Sequence, residues 1–182
     1  MKKALLPMLF ILALLLTGCG GRAGERRFAD FSETLGARET LAFSAAVRAE
    51  YTDRTLSFAL AYEKNAEGET ITVVEPGNIA GIRAHLKPGG STIEFEGLIL
   101  DTGPLDPYGL TPMNALPKLV EALCSGYLDS CGRDGDEEVF RLILDDRLSV
   151  SVWFEPEGMI PVHAELQSGE RVCVFCDITD WR

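Results

Sequence analysis

Apolar and polar residues alternate with a period of two along most of this chain. From Leu41 to Tyr51 the series Leu41, Phe43, Ala45, Val47, Ala49, Tyr51 interleaves with Ala42, Ser44, Ala46, Arg48 and Glu50, the pattern of a long strand with one buried face. Thr52-Asp53-Arg54 reverses the chain, and Leu56, Phe58, Leu60 and Tyr62 again share a face. Two long strands joined this closely are expected to pair antiparallel. Short strands follow between Thr70 and Leu100, punctuated by Glu75-Pro76-Gly77 and Pro88-Gly89-Gly90. Others cover Val139–Leu144, Leu148–Phe154, Ile160–Gln167 and Arg171–Ile178, with reversals at Asp145-Asp146, Pro156-Glu157-Gly158 and Ser168-Gly169. Helical spacing occurs twice. Phe28, Phe31 and Leu35 predict a short amphipathic helix within 28–37, and Leu116, Leu119, Val120 and Leu123 predict a second over Met113–Cys124. Thr111 and Pro112 supply the second helix with an N-cap and a first-turn proline, and Gly126 ends it. About nine strands and two helices, joined mostly by short turns, predict a mainly β (α+β) fold. The expected form is an antiparallel sheet that curls on itself, or a barrel, with the helices over one face or opening.

The first residues carry a different signal. Lys2 and Lys3 precede an apolar run from Ala4 to Leu16 that ends in Leu16-Thr17-Gly18-Cys19. The run is shorter than the roughly 18 residues a membrane span needs, so residues 1–18 read as a signal peptide. Leu-Thr-Gly-Cys resembles the bacterial lipobox. That resemblance implies that Cys19 becomes the first residue of the exported chain and carries diacylglycerol, a membrane anchor that needs no transmembrane helix. Residues 19–27, with Gly20, Gly21 and Gly24 close together, are then expected to form a flexible tether, and 28–182 a single domain. The expected location is the cell envelope, on the outer face of the membrane, or at the outer membrane where the host has two.

Composition narrows the function classes. The 182 residues are 46% hydrophobic and 25% charged, which fits one globular domain. With 17 Lys+Arg against 28 Asp+Glu the net charge is -11, so the basic footprint that phosphate contacts need is missing and nucleic acid is not an expected partner. No G-x-S-x-G elbow, Walker A loop or G-x-G-x-x-G fingerprint occurs, and no enzymatic activity, cofactor or metal is predicted. His85 and His163 fall on polar strand faces, and Asp145-Asp146 and Glu137-Glu138 sit where solvated turns and strand starts are expected. Cys173 and Cys176 form a C-x-x-C pair inside a strand, where their side chains point to opposite faces about 10 Å apart along the chain. Cys124 and Cys131 flank the Gly126 turn and are candidates for a disulfide in an exported protein. The four cysteines beyond Cys19 form either one bond with two thiols left over, or two long-range bonds.

The order of elements resembles the LolA/LolB-like superfamily of bacterial lipoprotein carriers. The resemblance is carried by the hairpin Leu41–Tyr62, the stretch Pro76–Ile82, and Val150-Ser151-Val152-Trp153-Phe154 with Pro161-Val162-His163-Ala164-Glu165. It implies an unclosed β-barrel with helices as a lid around an apolar cavity, and as ligand a lipid or the acyl chain of a lipoprotein. The residues expected to line such a cavity are Leu41, Phe43, Val47, Phe58, Leu60, Trp153 and Phe154, and a close-packed core is the other reading of the same residues. A relative of this shape also occurs among clostridial spore-germination lipoproteins, where the barrel serves as a protein partner. The second expectation is therefore a non-catalytic interaction module that positions an envelope or spore-coat enzyme.

Overall fold

A computed structural model describes residues 20–103, 109–169 and 171–182. The expected signal peptide and the Cys19 anchor lie outside the described residues. The chain opens with helix α1 (Gly20–Gly36). Six strands follow: β1 (Leu41–Glu50), β2 (Thr55–Asn65), β3 (Gly68–Glu75), β4 (Arg83–Lys87), β5 (Gly90–Phe95) and β6 (Leu98–Asp101). Helix α2 (Pro112–Ser125) then leads to β7 (Tyr127–Asp134), β8 (Glu137–Ile143), β9 (Leu148–Glu155), β10 (Ile160–Ser168) and β11 (Arg171–Thr179).

Each short turn lays a strand antiparallel beside its predecessor, which makes two meanders, β1 to β6 and β7 to β11. Pairing of β1 with β11, with Val47 opposite Cys176, joins them into one 11-stranded sheet in the order β6-β5-β4-β3-β2-β1-β11-β10-β9-β8-β7. The end strands β6 and β7 do not pair with each other, so the curled sheet stays unclosed. This is the mainly β architecture expected from the alternation, with two helices against the sheet.

The apolar face of the sheet forms one core with both helices. Leu41, Phe43, Ala45, Val47 and Ala49 of β1 are buried, as are Val150, Val152 and Phe154 of β9 and Val174, Cys176 and Ile178 of β11. Helix α2 lies over this face and touches α1, β1, β3, β8 and β10. Its stripe Leu116, Leu119, Val120 and Leu123 is buried, as its spacing predicts. Thr111 accepts a hydrogen bond from Asn114 N and donates its own backbone N–H to Asn114 Oδ1 at 2.7 Å, a reciprocal cap that satisfies donors at the helix start.

Two expectations are corrected. The tether expected over 19–27 is, from Gly20 onward, the first turns of α1. One glycine that reads as flexibility sits at a close approach: a Cβ at Gly24 would stand 3.3 Å from Cys131 Sγ, so a side chain there would have to push Cys131 aside by a few tenths of an ångström. Arg27 fastens the same turns by donating to Glu138 Oε1 at 2.5 Å and to the Pro156 carbonyl at 2.7 Å. The sheet also has eleven strands where about nine were expected, and β7 is the strand that alternation missed. It is an edge strand, largely exposed apart from Leu128 and Cys131, and it pairs with β8 from Tyr127↔Ile143 to Asp134↔Glu137 with a register shift between Leu128 and Ser130 that breaks its alternation.

Candidate functional site

The concave face is the place to look for a cavity, and among the described residues its apolar side chains pack together as one core. Leu41, Phe43, Val47, Leu60 and Phe154 are all buried in the core, and Phe58 is half-buried at its margin. Phe43 packs against Tyr62 with ring centroids 4.9 Å apart and against Trp181 at 4.8 Å. Phe154 meets Phe31 of α1 at 5.0 Å and Phe140 at 5.4 Å, both edge-on, a geometry aromatic rings favour. Trp153 is a correction. It follows the inward Val152 and precedes the inward Phe154, so strand geometry sends it to the convex face, where its indole N–H donates to Asp134 at 3.1 Å and its ring meets His163. Trp153 and Phe154 cannot line one cavity from adjacent positions of one strand.

Space opens where the core meets its ends. One cleft of about 550 Å³ lies between α1, the β9–β10 turn and the C-terminal segment. Its apolar side is Phe31, Met159, Ile160 and Trp181, and its polar side is Arg27, Asp30, Thr34, Arg38 and Arg182. Phe31 and Trp181 are also the rings that contact Phe154 and Phe43, so this cleft is continuous with the expected lining residues. Trp181 is held in place by reciprocal backbone hydrogen bonds of 3.0 Å between Arg182 and Ala42. Met159 has φ 51 and follows Gly158 at φ 102. A long side chain in this left-handed region costs backbone energy. With Arg27 paired to Glu138, Arg38 and Arg182 stand against Asp30 at the mouth and leave it weakly basic on a chain of net charge -11.

A second cleft of about 540 Å³ lies between α2 and the β2–β3 and β4–β5 turns, lined among others by Lys64, Glu69, Leu86, Lys87, Asn114, Lys118 and Glu121. Its lining mixes apolar surface from Leu86, Pro88 and Pro117 with charged side chains, and the charges partly cancel, as in the Lys118–Glu121 pair at 3.0 Å. Beside Glu69, Tyr62 is fully buried with its hydroxyl outside hydrogen-bonding geometry and unpaired. Burial first, and then the Glu69 carboxylate, hold the Tyr62 phenol above its usual range. Burial also raises Glu69 against the opposing pull of Tyr62 and Lys64. A carboxylate raised on folding favours the folded state while it is protonated, below its unfolded pKa, and that advantage is lost as pH rises through the folded value. Glu69→Gln is therefore expected to be more stable than the parent at pH 7, with the gap closing as pH falls below the ordinary carboxylate range. Paired urea melts from pH 3 to 8 check this, and a gap that widens in acid contradicts it.

The remaining candidates fall on other surfaces. Cys124 is a thiol, so the expected Cys124–Cys131 disulfide is not formed. Cys131 packs against Gly24, while the Cys124 thiol faces the Glu69 side, where burial raises its pKa. Cys176 is buried in the core and pushed up to about 12, which leaves it inert as a nucleophile. His85 bonds Thr70 and Glu94, and His163 bonds Asp177 at 2.6 Å, each through neighbouring strands. Among the described residues no group of three or more His, Cys, Asp and Glu is placed to hold a metal ion. No helix among them is long and apolar enough to cross a membrane.

No protein-family model matches the sequence, and no curated protein sequence does. Solved structures do resemble the fold. A LolA superfamily protein from Nitrosomonas europaea superposes with a TM-score of 0.50 at 13% identity, over 85% of this chain and 92% of that one. A DUF1329 family protein from Desulfovibrio piger gives 0.51 at 9% identity over 88% and 92%. An uncharacterized conserved protein from Thermus thermophilus gives 0.51 at 8% identity over 87% and 86%.

Proposed function

From the LolA-like fold as premise, we propose that this chain is a non-catalytic lipoprotein of the cell envelope, anchored through Cys19, that binds a lipid or the acyl chain of a lipoprotein. The observation that carries the reading is the cleft beside α1, with an apolar floor and a basic rim. Its volume falls in the range of about 300–1,000 Å³ typical of small-molecule sites. An acyl chain lies on Phe31, Met159, Ile160 and Trp181, and an anionic headgroup meets Arg38 and Arg182. Arg27 is already spent on Glu138 and Pro156 and serves mainly to hold α1. Burial of apolar surface at about 25 cal/mol per Å² drives such binding, so discrimination between chains is expected to be weak. The anionic head is selected by charge. The ligand sits at the end of the half-barrel, because the centre is packed. The interaction-module alternative is supported by a different feature, the exposed apolar strand β6.

The test is native mass spectrometry of the full chain, isolated from a bacterial envelope in mild detergent, followed by lipid extraction. The expected result is an acyl lipid bound one to one and displaced by a fluorescent fatty acid. Arg38→Glu is expected to weaken the fatty acid by roughly threefold to tenfold, as loss and reversal of one exposed charge would, and to leave an uncharged acyl alcohol unaffected. A lipid-free protein that also fails to take up the fluorescent fatty acid would overturn the reading.

A further inference from the structure

Strand β6 is the least buried strand of the sheet and one of its most apolar. Leu98, Ile99 and Leu100 are 72%, 67% and 65% exposed. Being consecutive, they place apolar side chains on both faces of an edge strand, where edges are usually guarded by charge, proline or a bulge. Among the described residues no strand pairs with the outer backbone of this edge. Leu98 pairs with Phe95 across the two-residue turn Glu96-Gly97, both in left-handed conformation. Thr102 N donates to Ser91 O at 3.0 Å. Antiparallel alternation between these points turns the N–H and C=O of Leu98, Leu100 and Thr102 toward β5, and those of Ile99 and Asp101 outward.

We infer that β6 is the surface through which two copies of this chain pair, antiparallel about a two-fold axis at Ile99. In that register Ile99 lies opposite Ile99 of the partner subunit, and the two exchange both backbone hydrogen bonds. Leu98 lies opposite Leu100 of the partner subunit in a close pair that is not hydrogen-bonded, and the reverse pair completes the symmetry. Charge agrees with this register. Asp101 lies opposite Gly97 of the partner subunit, and Glu96 opposite Thr102 of the partner subunit, so no acid faces an acid along the strand despite a net charge of -11. A slip of two residues in one sense sets Leu100 against Glu96 of the partner subunit. The opposite slip sets Ile99 against Asp101 of the partner subunit. Only the central register matches the apolar triplet with itself, and the outward backbone groups of Ile99 fit no hydrogen-bonded pair after a one-residue slip. The result is a sheet continuous across two copies.

The experiment uses the full chain. Ile99→Cys, expressed in the bacterial envelope and oxidised, is expected to give a disulfide-linked dimer on non-reducing gels, because a hydrogen-bonded antiparallel pair holds its Cα atoms about 5.5 Å apart, within disulfide reach. Asp53→Cys, exposed in the distant β1–β2 turn, is the control that should not link. In detergent, sedimentation of the parent is expected to show a concentration-dependent dimer that Ile99→Lys abolishes, with a melting temperature equal to that of the parent diluted to the monomer. Ile99→Pro should do the same, since it removes only an outward N–H and spares the β5–β6 ladder. A chain monomeric at all concentrations without Ile99→Cys cross-linking overturns the inference. So does a dimer that survives both substitutions.

Discussion

Phe154→Ala is expected to cost about 3–5 kcal/mol of folding stability, the range seen for emptied aromatic core sites. Phe154 is fully buried and lies where the sheet meets α1, with Phe31 and Phe140 edge-on against it and Phe28 stacked on Phe140 at 5.1 Å. Removing it takes support from both partners at once, and a β-sheet with bonded neighbours on either side cannot collapse into the gap. A domain of this size holds about 5–15 kcal/mol in total, so the variant loses roughly a fifth or more of its margin. Trp153→Ala is the comparison. Trp153 is larger but stands on the convex face, half-buried, with one hydrogen bond to Asp134, and its loss is expected to cost about 1 kcal/mol. Guanidinium unfolding of the two variants reads the difference directly. A larger cost for Trp153→Ala than for Phe154→Ala would mean that Trp153, not Phe154, faces the core.

The contrast between those neighbours shows what the sequence makes legible. Alternation along β1, β2 and β9 and the stripe on α2 follow from burial of one face, and where one face is buried the pattern is plain. Where burial stops, the signal stops. Strand β7 shows no period because a register shift between Leu128 and Ser130 breaks its alternation, so that only Leu128 and Cys131 turn toward the core and α1, while Asp129, Ser130, Gly132 and Arg133 are exposed. The start of α1 carries glycines that read as a tether, because the reason for Gly24 is a contact with Cys131, distant in sequence. Strand β6 is apolar and reads correctly as a strand, yet its exposure depends on its place at the end of the sheet order. The candidate site is the least legible part. The cleft draws on α1, the Pro156–Met159 turn and the last two residues, three segments with no shared period. Of the lining residues named from alternation, Phe43 and Phe154 instead form the packed wall behind it, in contact with Trp181 and Phe31, and Trp153 lies on the opposite face of the sheet.

Met159 offers the sharpest test of the cleft, because its effects on stability and on binding should have opposite signs. At φ 51 its backbone is left-handed, a conformation that costs a non-glycine residue about 1–2 kcal/mol. Asp180 shares that region at φ 56, but a short polar residue tolerates it better than a long apolar one does. Met159→Gly relieves the strain and adds about 0.5–1 kcal/mol of chain entropy to the unfolded state, so folding stability is expected to stay level or rise by up to about 1 kcal/mol. An ordinary buried methionine truncated in the same way loses about 2–5 kcal/mol. The fatty-acid probe should respond in the other direction. Loss of a side chain that covers the ligand forfeits about 1.5–3 kcal/mol of apolar contact, which corresponds to roughly tenfold to hundredfold weaker binding. Thermal melting and probe titration on the same preparation separate the two effects. Weaker binding with intact stability makes the strained methionine part of the floor on which the acyl chain rests. Unchanged binding moves the ligand out of this cleft, and a large loss of stability would mean that Met159 is held for packing alone.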